Sequence, residues 1–165
     1  MDNFINEKAW NFFLKLRHLD RHTTFLETFY FSDNEKTANK LLKLVLEGTK
    51  KATSSCLKSY EIEESRIPKV GDYSIVTNWQ GDPQCVIKTT KVSIMPYKNM
   101  TYEICKREGE DRCLKTWQRN HWEAFTKEGI ELGFCFTKEM LIIFEDFIID
   151  YIFSIDDITS FKQKL

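Results

Sequence analysis

The segment Gly48-Thr49-Lys50-Lys51-Ala52-Thr53 has the form G-x-K-x-x-T, and its residue types come nearest to chemistry in this chain. Glycine lets the backbone turn sharply, a lysine supplies charge, and a threonine hydroxyl follows three residues on. Such a set suits an anion or another polar ligand. It is not a phosphate-cradling P-loop, because the second glycine and the Gly-Lys-Ser/Thr order are missing. The same spacing also fits a helix C-cap followed by solvated lysines.

Other residues invite the same weighing. His18 and His22 lie four apart, a spacing that puts two ligands on one helix face, but no third ligand is adjacent. No metal site and no cofactor are therefore expected. His121 follows Trp117 by four residues on a largely apolar face, which fits a core or groove histidine as well as a catalytic one. Glu108, Glu110 and Asp111 form an acidic cluster that would complement a helix N-terminus. Lys40, Lys43, Lys50, Lys51 and Lys58 gather around the loop and make either a basic patch or a solvated face.

The elements that must position these residues can be read from periodicity. Asn6 to Leu19 has helical spacing, with Trp10, Phe13, Leu14 and Leu16 on one side. Ser32 to Glu35 has capping-box form, and Ala38, Leu41, Leu42 and Val45 then mark an amphipathic helix that Gly48 should stop. Thr53 to Cys56 reads as extended. Pro68 to Asp72 is a turn, and Tyr73–Thr77 with Gln84–Met95 looks like an antiparallel hairpin. A short helix is expected over Thr101–Arg107 and a longer one over Arg112–Lys127. Met140 to Phe153 reads as a strand pair or one long bent strand.

Composition sets the frame. In 165 residues, 42% hydrophobic and 14% aromatic, thirteen Phe and four Trp against six Gly and three Pro point to one packed domain. Twenty-four basic and 25 acidic residues give a net charge of −1, which argues against wholesale coating of nucleic acid but leaves room for a local basic cleft. Five cysteines without CxxC spacing suit reduced thiols in a cytoplasmic protein. No signal peptide is visible, and the most apolar run, broken by Glu145, Asp146 and Asp150, is too short and charged to span a membrane.

In order along the chain, several stretches resemble the ASCH domain family. They are LVLEGTKKATSS at 44–55, IPKVGDYSIV at 67–76, GDPQCVIKTTKV at 81–92, REGEDR at 107–112, W-x-x-x-H at Trp117 and His121, and FTKEMLIIFEDF at 136–147. The resemblance implies an α+β fold: a PUA-like small antiparallel β-barrel flanked by helices. It would comprise an N-terminal helical extension over residues 1–30, the ASCH domain over 31–155 and a tail over 156–165. It further implies a cleft for RNA or a nucleoside or nucleotide, with Gly48, Lys51, Ser54, Ser55, Tyr73, Trp117 and His121 as ligand contacts and Tyr73 or Trp79 for stacking.

A small bacterial member of the wider family is an amidohydrolase acting on N4-acetylcytidine. Its Lys, Thr and Glu fall here on Lys50, Thr53 and Glu108, with Glu110 the alternative acid. In that chemistry a lysine with a burial-lowered pKa activates the threonine hydroxyl, and the carboxyl shuttles a proton to the leaving amine. Other members are ribonucleases or RNA binders, so the resemblance does not select one activity. One departure stands out: Asp146 precedes Phe147 where the family often has an arginine, which removes a possible phosphate contact.

Overall fold

The structure, a computed structural model, describes residues 3–163. In chain order the elements are α1 (Asn3–Leu16), β1 (Thr28–Phe29), α2 (Glu35–Leu46), β2 (Ala52–Cys56), α3 (Leu57–Ile62), β3 (Tyr73–Thr77), β4 (Pro83–Pro96), α4 (Tyr102–Cys105), α5 (Leu114–Leu132), β5 (Leu141–Ile152) and α6 (Ile155–Lys162). Short 3-10 turns occupy Tyr97–Asn99 and Lys106–Glu108. The fold is α+β, as expected. Its strands run in the order β1-β3-β4-β5-β2, an open series rather than a closed barrel. β3 pairs antiparallel with β4, as the hairpin reading requires, and β1 pairs parallel with β3.

Several local readings need correction. The cap of α2 is Asn34, whose extended backbone lets its side chain accept from the Thr37 N–H at 3.0 Å. Ser32 sits at φ 67° and cannot take that role. Helix α1 stops at Leu16, so His18 and His22 follow it and do not share a helix face. The residues from 141 to 152 form one strand. The region read as a tail contains α6, fixed by a capping box between Ser154 and Asp157 and by buried Ile158 and Phe161. Residues 164 and 165 lie outside the described part.

The chain divides into two compact units, and β4 and β5 contribute residues to both. The first gathers the stretch ending at Gly48, then Gly71–Lys88, and the stretch from Ile148. Its core is aromatic: Trp10 stacks on Phe13 at 5.2 Å, and Tyr73 packs edge-on against Phe13 at 5.4 Å. Tyr73 is 9% exposed, and Lys88 lies over its ring. A ring so enclosed cannot stack on a base, so Tyr73 is a core residue of this unit. Trp79 leans on Tyr30 with centroids 4.7 Å apart.

The second unit comprises Thr49–Val70 and Thr89–Phe147. Its core joins Ala52, Cys56, Tyr97, Trp117, Phe125, Phe136 and Phe144. Strand β2 pairs antiparallel with β5, placing Ala52 opposite Asp146, Thr53 opposite Glu145 and Ser54 opposite Phe144. Because side chains alternate along a strand, Ala52, Ser54 and Cys56 share one face, while Thr53 and Ser55 take the other.

Candidate functional site

The loop after α2 is shaped by two glycines. Gly48, at φ 74°, lies just past the helix cap, and its N–H reaches the Val45 carbonyl at 2.8 Å. Gly109 is also left-handed, at φ 71°, and a Cβ there would sit 2.4 Å from the Thr49 carbonyl oxygen. Only glycine admits so close an approach of two backbones. The Lys51 N–H then bonds the Arg107 carbonyl, and the Lys51 carbonyl accepts from the Phe147 N–H, each at 2.9 Å. The loop is thus held between the 3-10 turn and β5.

That clamp drives Lys50 inward, to 2% exposure. Its ammonium forms a close ion pair with Glu110 and lies 3.6 Å from Glu108. Glu108, 1% exposed, is the hub. Its Oε1 accepts from Ser54 Oγ at 2.6 Å and from Trp117 Nε1 at 2.8 Å, and its Oε2 lies 3.2 Å from His121 Nε2. The imidazole stacks on Trp117 at 4.2 Å, and its Nδ1 lies 3.1 Å from the Trp117 carbonyl. Both ring nitrogens therefore face acceptors, a setting that suits the doubly protonated form.

The charges follow this geometry. Burial pushes the Glu108 carboxyl up, but the charges of Lys50 and His121, with hydrogen bonds from His121 and Ser54, outweigh it and hold the pKa at about 2. Burial pushes His121 down, and the Glu108 carboxylate overrides it by charge and hydrogen bond, leaving its pKa above the ordinary 6.5. Cys105 beside the cluster is pushed up to about 11, first by burial and then by Glu108, so it stays a thiol. Among the described residues, no group of three His, Cys, Asp or Glu side chains is placed to hold a metal ion.

The structure brings together Lys50, Ser54, Glu108, Trp117 and His121. Glu110 joins them, so both candidate acids contact the same lysine. Thr53 and Ser55 face away from Ser54 across the strand, and Thr53 lies opposite Glu145, whose Oε1 accepts from Thr89 Oγ1 at 2.5 Å. Lys51 projects its exposed side chain outward, and Gly48 is exposed at the loop entrance. Asp146, the family departure, holds Arg107 through both its oxygens, at 2.5 and 3.1 Å. Sequence reasoning missed the close approach at Gly109 and the Thr89–Glu145 pair. An acid inside an apolar strand run was the available signal for Glu145.

An ASCH domain family model matches residues 27–151. The chain belongs to the ASCH domain family. The ASCH domain from Lactobacillus crispatus JV V101 is 33% identical, with a TM-score of 0.77 over 87% of this chain and 94% of that one. A protein from Enterococcus faecalis V583 is 28% identical, with a TM-score of 0.85 over 100% of this chain and 99% of that one. No curated protein matches the chain. The Lys50–Glu108–His121 cluster thus lies within the matched ASCH segment. Among the described residues, no helix is long and apolar enough to cross a membrane.

Proposed function

We propose that this ASCH protein binds RNA or a nucleotide at the loop that carries Lys50. The observation that carries this reading is the buried cluster itself. Burying Lys50, Glu108 and His121 together costs more than filling the same space with apolar side chains, and such clusters concentrate at functional sites. With Lys50 held by Glu110 and the Ser54 proton held by Glu108, the part-exposed Ser54 and Glu110 oxygens remain as acceptors for the donors of a nucleobase edge. Exposed Lys51, the residue just before β2, supplies charge for a phosphate. The test is titration with single-stranded RNA across a salt series. Binding that weakens with salt, and weakens further in Lys51→Ala, supports the reading; no salt-sensitive binding removes it.

A second reading, hydrolysis of an N4-acetylcytidine-like amide, draws on the 3.6 Å separation of Lys50 and Glu108. In it the Thr53 hydroxyl, which lies on the strand face opposite Ser54 and must be reached from there, attacks the amide carbon, the C–N bond breaks to release the amine, and water frees the acyl group from Thr53. Glu108, ionised down to about pH 2, orients Lys50 in this scheme and is too weak a base to shuttle the proton well. Release of cytidine from N4-acetylcytidine measures it. Unchanged turnover in both Lys50→Ala and Thr53→Ala proteins rules this site out.

A further inference from the structure

Away from Lys50, the second unit carries a cavity of about 690 Å³ lined by two aromatic rings, three cations, Gln118 and Glu123. One wall is the outer face of α5, where Gln118, Arg119 and Trp122 are neighbours at helical spacing. The opposite wall is the Tyr97–Asn99 turn and the approach to β5. There the Lys98 N–H bonds the Lys138 carbonyl at 3.0 Å, and the Tyr97 N–H bonds the Met140 carbonyl at 2.9 Å. These bonds hold the Lys98 and Lys138 backbones side by side.

The base of the groove is stiff. Tyr97 is 3% exposed, and its hydroxyl donates to the Gln118 carbonyl at 2.5 Å, tying the turn to the helix. Trp122 stands against Tyr97 at 5.8 Å and against Phe136 at 5.4 Å, so its ring is braced from behind while remaining part-exposed. The charges point the same way. Lys98, Arg119 and Lys138 line the groove with Glu123 as the opposing acid, and Lys98 makes a 3.5 Å pair with exposed Glu139. A chain with net charge −1 has gathered three cations around one braced aromatic ring.

We infer that this groove holds a phosphate-flanked base of single-stranded RNA, with the base on Trp122 and the phosphates on Lys98, Arg119 and Lys138. Base–aromatic stacking tolerates any base, and the cations follow the backbone. The inference rests on the RNA- or nucleotide-binding reading and adds a second contact to it. It differs from the Lys50 site in kind: open and cationic, built to track a strand instead of reading a base edge.

Anisotropy of a labelled ten-nucleotide single-stranded RNA, titrated with the full chain at several salt concentrations, tests it. The double variant Lys98→Glu and Lys138→Glu reverses two exposed charges that the fold does not need. Binding at least ten-fold weaker, with a shallower salt dependence, is expected. Trp122→Ala should weaken binding about ten-fold, with most of that restored in Trp122→Phe. Competition by a nucleoside monophosphate separates the two sources of the ligand. Displacement that is lost in the double variant means that the groove holds a single nucleotide; no displacement means that it follows a strand. If wild type binds and the double variant binds equally well, the groove is overturned while the Lys50 reading stands. If wild type binds no RNA, both fall.

Discussion

Phe13 in the first unit and Lys50 in the second are buried to nearly the same degree, at 0% and 2% exposure, but among different chemistry. Around Phe13 lie Trp10, Tyr73 and other rings whose burial stabilises with little polar demand, the Trp10 N–H being met by the Thr23 carbonyl at 3.0 Å. Around Lys50 lie Glu108, Glu110, Ser54 and His121, and each must be satisfied or the cluster becomes a liability. The contrast separates a region built for stability from one where burial is spent on charge. The ring packing around Phe13 includes no carboxylate, imidazole or ammonium, whereas the cluster around Lys50 is made of them.

The largest effect expected is loss of the hub. Glu108→Ala leaves Lys50, His121 and the Trp117 N–H without their shared acceptor and should cost about 3–5 kcal/mol in chemical denaturation. Phe13→Ala should cost a similar ~3–5 kcal/mol by opening a cavity. Their responses to pH set the two apart: Phe13→Ala should leave the pH dependence of stability unchanged, whereas Glu108→Ala should flatten it.

The pH dependence itself has a definite sign. The drop in the Glu108 pKa from 4.5 to about 2 corresponds to about 3 kcal/mol, present above pH 4.5 and lost as pH falls toward 2. The raised His121 pKa works the other way, giving stability present below pH 6.5 and lost as pH climbs through its higher folded value. The denaturation midpoint of wild type should therefore peak between these limits, and His121→Gln should lessen the decline on the alkaline side, leaving the part due to Glu27 and Glu128, whose carboxyls burial pushes up. An NMR titration placing the His121 pKa below 6.5 would contradict the geometry described.

Smaller effects sharpen the comparison further. Gly109→Ala places a methyl against the Thr49 backbone at a positive φ and should cost about 1–3 kcal/mol. Ser54→Ala removes one donor to a carboxylate that keeps others, so about 1 kcal/mol is expected. A Ser54→Ala loss as large as that of Glu108→Ala would mean that the hydroxyl, not the ion pairs, holds the cluster together.

Much of this arrangement was legible in the sequence because it rests on local rules. The apolar spacing from Ala38 to Val45 and the glycine at 48 mark α2 and its stop; β3 forms where a strand was read, but all five of its residues are buried, so the alternation expected there is absent. The approach of Lys50 to Glu108 spans 58 residues and was reached through family resemblance, not spacing. Gly109 gave no sign of its purpose, because its demand comes from a backbone distant in sequence. Tyr73 looked available for stacking only because a single sequence does not show which aromatic residues cover one another. Helix α6 was missed because its anchors, Ile158 and Phe161, are two apolar residues in a polar stretch.

The central claim is that the Lys50 loop recognises RNA or a nucleotide. Equilibrium titration of the full chain with single-stranded RNA, at low and at physiological salt, tests it most directly. Saturable binding is predicted that weakens as salt rises and is reduced in Lys51→Ala while the fold, followed by circular dichroism, is unchanged. Absence of binding at low salt, or binding indifferent to both salt and Lys51, would contradict it.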